Sequence, residues 1–178
     1  MLELYRQLIS NQYEAALCTL NLCIQRCPDS MWNARVGNLA YCQVAFHTLF
    51  FTDYYLGRDE SSFRAQLFHR ENAAFFRDYE ELEDRPQVLL YEKPSVQKYL
   101  EYCRRKARDA IAAETVESLS APCSFPRTSF SRAELYVNSL RHIQHHAAQL
   151  SLRLRLDAKE SIPWVRSGWQ PAQSDKLH

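Results

Sequence analysis

Three of the chain's six histidines fall within five residues, in the stretch SLRHIQHHAAQL from Ser139 to Leu150. Neutral imidazole is the commonest protein ligand for divalent transition metals, so metal binding is the first chemistry this cluster raises. Residues four apart on a helix stand about 5–6 Å apart at Cβ, which lets two rings reach one ion. His142 and His146 have that spacing. With a turn of about 100° per residue, Leu135, Ser139, Leu140, Ile143, Ala147, Leu150 and Leu154 form one broad arc. His146 falls inside that arc and His142 at its edge, whereas His145 points away among Arg141, Leu152 and Arg155. His145 is therefore read as a solvated surface residue. The zinc-protease pattern H-E-x-x-H is absent, because Ile143 stands in the glutamate's place.

Two imidazoles make a weak site, and a third has to come from another helix. His47 lies in LAYCQVAFHTLFFTDYYL, a run that is apolar almost all the way round. A buried imidazole left unpaired costs about 1–3 kcal/mol, so His47 needs a partner. That partner is either an ion shared with His142 and His146 or an ordinary side-chain or carbonyl hydrogen bond. Both readings stand at this point. The mid-helix positions of the two sites let them meet at one level and lean towards the shared ion.

The elements that would position these residues follow from the punctuation of the chain. Proline breaks helix interiors, and only seven prolines and three glycines occur in 178 residues. Four helices are expected: about Leu2 to Arg26, Gly37 to Leu56 with Gly57 as a left-handed cap, Ser95 to Leu119, and Ser131 to Asp157. The last opens on SRAE, which has the form of a capping box. No segment alternates with period two, so no strands are expected. The fold class is all-α, a four-helix bundle. The short first connection (about 27–36) predicts antiparallel neighbours for helices one and two. The long one (about 58–94) can retrace a helix about 30 Å long, so that helix three runs parallel to helix two. FRAQLFHRENAAFF within it reads as one or two short helices. The whole of 1–178 is read as a single domain, with 164–178 as a tail that packs Trp164 and Trp169 onto the bundle before fraying.

A net charge of +1 offers no field for nucleic acid or an anionic membrane surface. The apolar run from Leu39 to Leu56 contains Gln43, His47 and Asp53 and reads as a buried helix rather than a membrane span. The N-terminus reads as a helix start, not a signal peptide. The six cysteines (18, 23, 27, 42, 103, 123) include no C-x2-C pair, and Cys23 and Cys27 read as core thiols. A reduced, cytoplasmic protein is expected, with a small-molecule substrate or thiol as its partner and a homodimer as one option. Asp53 is read as a helix-end or surface residue unable to orient His47. Asn138 either lines the histidine cavity or faces solvent, and Phe51 and Tyr54 are read as core. YCRRKARD reads as a solvated helix face, and His69 and Arg70 as residues of a covering lid. No nucleophile–base spacing is recognisable, so no catalytic residue is assigned.

AFHTLFFTDYYL and LYVNSLRHIQHHAAQLSLRLR together resemble the DinB superfamily, the damage-inducible, YfiT-like metal-binding four-helix bundles, unrelated to the DNA polymerase of that name. The likeness extends over nearly the whole chain. It implies an up-down-down-up bundle with the long crossover between helices two and three. It also implies a divalent metal held by one histidine of helix two and an H-x-x-x-H pair of helix four, here His47, His142 and His146. The family's frequent H-R-G-Q ending reads His146-Ala147-Ala148-Gln149 and departs at its middle two residues. Three neutral imidazoles leave a coordination position open, which suits polarising a carbonyl, acidifying water or holding a thiolate. Nickel, zinc and iron all suit such ligands. The resemblance therefore implies a metal-dependent enzyme, a thiol-linked S-transferase or a hydrolase, with a low-molecular-weight thiol as co-substrate. Relatives that make thiol-histidine carry a fused second domain of which this sequence shows none. The alternative is a non-catalytic, metal-containing bundle that binds a small ligand or a partner.

Overall fold

A computed structural model describes residues 1–125 and 129–170 of the chain. Helix accounts for 68% and strand for 4%, so the protein is all-α. Four long helices carry the core: α1 (Leu2–Arg26), α2 (Tyr41–Leu56), α6 (Lys93–Ala113) and α8 (Arg132–Arg153). Between them lie the short strands β1 (Arg35–Val36) and β2 (Leu39–Ala40) and the short helices α3 (Glu60–Arg64), α4 (Leu67–Glu71), α5 (Ala73–Phe76) and α7 (Val116–Ser120). No described helix is long and apolar enough to cross a membrane.

The inward faces repeat at three and four residues. Tyr13, Leu17, Leu20 and Ile24 of α1 are buried, as are Val96, Leu100, Cys103, Ala107 and Ile111 of α6. Both α1 and α2 pack along α6 and α8. Helices α1 and α2 therefore lie diagonally across the core instead of side by side, contrary to expectation. A short link joins them all the same, because the hairpin β1–β2 takes up the turn.

That hairpin replaces the first four residues predicted for helix two. Val36 pairs with Leu39, and Gly37, at φ 64°, takes the first position of the two-residue turn between them. The helix starts only at Tyr41, where the Gln43 side chain reaches back to the Ala40 N–H at 2.7 Å. At the other end Gly57 is not left-handed; its φ is −72°. The helix closes instead because the Arg132 guanidinium donates to the carbonyls of Tyr55, Leu56 and Gly57 at 2.6–3.0 Å. Arg132 is held by Glu114 at 3.0 Å and by the Tyr136 hydroxyl at 3.1 Å.

The third predicted helix also divides. α6 stops at Ala113, and Thr115 starts α7 by accepting the Ser118 N–H at 3.1 Å. Ser131 does cap α8, accepting the Glu134 N–H at 3.2 Å, and beyond Arg153 the chain widens into a looser turn over Leu154–Ala158. Trp164 is exposed rather than packed, at 73%. Trp169 is partly buried, with the Arg104 guanidinium 3.8 Å from its ring centre. The expected fraying of the tail falls on 171–178, outside the described residues.

The crossover 58–92 folds onto a wall of aromatic rings. Phe46 stacks on Tyr91 at 3.8 Å, and Phe50, Phe63, Phe76 and Tyr99 are all buried around it. Such ring contacts fix the path of a long connection far more tightly than its sequence suggests. That path places the turn Glu80–Leu82 beside the middle of α2.

Candidate metal centre

α2 and α8 pack against each other and bring His47, His142 and His146 together, with one nitrogen of each within 4.8 Å of the others. The facing nitrogens are Nε2. His142 Nε2 lies 3.3 Å from His47 Nε2 and 3.1 Å from His146 Nε2. Phe51, one turn along α2, packs its ring on His47 and His142 and limits their rotation.

The outward nitrogens decide which lone pairs face inward. His47 Nδ1 lies 2.7 Å from the Glu81 carboxylate, whose side chain is 1% exposed. A carboxylate accepts, so the proton sits on Nδ1 and the Nε2 lone pair points at the other two rings. His146 Nδ1 likewise donates to Gln149 Oε1 at 2.8 Å. His142 Nδ1 is buried and has no hydrogen-bond partner among the described residues. Burial and the neighbouring rings of His47 and His146 push the His142 pKa down to about 3. Burial together with His47 and His145, against the opposing Gln149 hydrogen bond, takes His146 to about 4. Both rings are neutral at physiological pH.

Lone pairs converging on one point repel unless a cation or a proton lies between them. The spacing fits a cation. Nitrogens at 2.0–2.1 Å from a tetrahedral ion stand about 3.3 Å apart, and around an octahedral ion about 2.9 Å apart. The observed 3.1 and 3.3 Å lie in that interval. The trio can therefore hold a divalent metal ion, with Glu81 and Gln149 orienting two of its rings from behind. Oriented imidazoles of this kind are typical of metal sites, where the outer partner fixes the tautomer.

His145 lies outside the trio and is exposed at the cleft's edge; its ring packs edge-on against His146 at 5.0 Å and meets the Gln149 amide at 3.1 Å. Asn138 lines the cleft beside the histidines. Tyr54 is buried core. Asp53 departs from expectation: it is wholly buried and accepts from His69 at 2.7 Å, from Tyr99 at 2.9 Å and from Lys106. His69 therefore does not act as a lid over the trio. Its ring is held in a separate buried cluster, while Arg70 is exposed. The basic run is less solvated than its composition suggests, since Lys106 reaches Asp53 and Arg104 binds Glu14 at 2.8 Å.

Sequence reasoning missed Glu81 and the part played by Gln149. Gln149 was findable, because it lies one turn beyond His146. Glu81 sits in the acidic run YEELED, and nothing in its spacing ties it to His47.

The trio opens onto a cleft of about 680 Å³ between α2 and α8, lined by His47, Phe51, Tyr55, Asn138, Arg141, His142 and His145. None of these is a serine, cysteine or carboxylate. Among the thiols, burial pushes Cys23 up to about 12 and Cys27 to about 11, so neither is a ready thiolate. No protein-family model, no curated protein and no solved structure matches this chain.

Proposed function

We propose that the protein is a metal-dependent enzyme of the DinB type, a thiol-linked S-transferase or a hydrolase, working at an open three-histidine centre. The carrying observation is the convergence of three histidines within 4.8 Å, His142 Nε2 lying 3.3 and 3.1 Å from the Nε2 atoms of His47 and His146, with two of the opposite nitrogens tied to Glu81 and Gln149. His47, His142 and His146 would hold nickel, zinc or iron. Such an ion supplies Lewis acidity and a docking point for a thiolate or an oxygen donor. The chain's own contribution is to keep His142 and His146 neutral, to aim all three imidazoles, and to leave one side open to the cleft. The fold that accompanies this reading is a four-helix bundle run up-down-down-up, with 58–92 as its crossover. The DinB resemblance supports that order; the packing of both α1 and α2 on α6 and α8 supports a four-membered bundle.

One observation favours a binding protein instead. Glu81 lies behind His47 rather than at the cleft, so no carboxylate among the lining residues is placed to move a proton. In that reading the metal stabilises the bundle or anchors a small ligand.

Elemental analysis of protein purified without an affinity tag tests the centre first. Near-stoichiometric metal is expected, lost in His47→Ala and His142→Ala and kept in His145→Ala. Loss in His145→Ala as well would overturn the facing assignment. A turnover screen with low-molecular-weight thiols and electrophilic acceptors then separates the enzyme from the binder. No turnover with any metal or thiol leaves the binder.

A further inference from the structure

The cleft next to the histidines has its own pattern. On α2, His47, Phe51 and Tyr55 follow one another at steps of four, which lays two aromatic rings along the floor away from the trio. Eight residues of helix span about 12 Å, the length of a small organic molecule. On α8, Asn138 and Arg141 form the opposite wall within one turn of His142. Arg141 is exposed and makes no hydrogen bond or ion pair among the described residues, unlike Arg6, Arg104 and Arg132, which all bind protein groups. It is the one permanent cation among the lining residues, and none of them offers it a carboxylate. A divalent ion on the trio would add two more positive charges beside it.

We propose that this cleft binds a small organic carboxylate with an apolar body. The carboxylate pairs with the Arg141 guanidinium, whose planar fork matches two carboxylate oxygens. The apolar body lies along Phe51 and Tyr55, and the far wall offers the Asn138 amide. This assignment rests on the metal-centre reading for its chemistry, but not for its anion subsite.

Isothermal titration of the full chain, metal-free and zinc-loaded, with 3-phenylpropanoate and its neutral amide is the test. The acid is expected to bind at least tenfold tighter than the amide. Arg141→Gln should weaken the acid about tenfold and leave both the amide and the zinc content unchanged, while Arg141→Lys keeps part of the gain. Equal binding of acid and amide overturns the proposal. So does an acid affinity indifferent to Arg141→Gln, which would mean that the carboxylate binds elsewhere, and so does an absence of binding by either probe in both forms. Failure to load zinc, with the acid still sensitive to Arg141, would sink the metal centre and leave the anion subsite standing.

Discussion

Two histidines pair with carboxylates across the same seam, between α2 and the crossover, and the two pairs are built for opposite ends. His47 stands on α2 and its carboxylate, Glu81, on the crossover. Six residues further along α2 the arrangement is reversed, with Asp53 on the helix and His69 on the crossover. Both contacts measure 2.7 Å. The difference lies in the second nitrogen. His69 Nδ1 meets the Tyr79 hydroxyl at 3.1 Å, and its ring stacks on Phe76 at 3.8 Å, with no exposed surface on either His69 or Asp53 side chains. His47 keeps its second nitrogen for two other imidazoles at an open cleft. An imidazole–carboxylate pair is a pin when every polar atom is matched, and a candidate ligand when one lone pair is left facing others.

The pin should carry the larger share of stability. Asp53 accepts from His69, Tyr99 and Lys106, and Lys106 also bonds the Gln66 side chain at 2.7 Å. Asp53→Ala leaves a cationic amine in a mostly buried setting without its counter-charge, at a cost of about 3–5 kcal/mol. A large fall in the urea midpoint is expected, well beyond that of His47→Ala measured on metal-free protein. Similar midpoints for the two variants would show that the buried cluster is no pin.

The second comparison is made on metal affinity. Glu81→Gln keeps the shape but removes the charge that holds the His47 proton on Nδ1. Outer partners of this kind contribute about 10–100-fold in affinity, and that is the expected loss in a chelator competition. His69→Gln breaks the other pair from its crossover side and should leave metal affinity where it was. If Glu81→Gln binds metal like the unaltered protein, the carboxylate only fills space behind His47.

The same contrast explains what could be read in the sequence. His142 and His146 were legible because both lie on one helix, where four-residue spacing fixes their common face. His47 was legible because a lone imidazole in an apolar helix demands a partner. Asp53 was misread because spacing reports only a residue's neighbours on its own helix, while its partners come from α4 and α6. Glu81 was invisible for the same reason: several short elements and an aromatic wall bring it to His47. The Gly57 cap was assigned to local backbone geometry, whereas Arg132, far along the chain, supplies it. The hairpin at Gly37 was hidden by the helical period that follows it. Local rules recovered what one helix can do with itself and lost what two elements do together.

The smallest expected effect separates the two regions by pH. In metal-free protein His142 and His146 have folded pKa values of about 3 and about 4, below the usual 6.5. The unfolded chain therefore takes up protons from about pH 6.5 downwards while the folded chain resists, and stability falls across that range. Each ring contributes at most about 1.4 kcal/mol per pH unit, reduced by solvent at the open side. Asp53 acts lower down. Burial would raise its pKa, but the His69 hydrogen bond and the Lys106 charge outweigh that and hold it below 3.8. Its contribution is present above about pH 4 and lost as pH falls through the folded value. Urea unfolding in the presence of a chelator, repeated from pH 7.5 to pH 3, should show a gradual decline starting near pH 6.5 and a further one below pH 4. His142→Ala should make the first shallower, the double variant His142→Ala/His146→Ala should flatten it, and both should leave the second. A first decline that survives in the double variant His142→Ala/His146→Ala would place the neutral-pH titration outside the trio and remove the electrostatic distinction between the two seams.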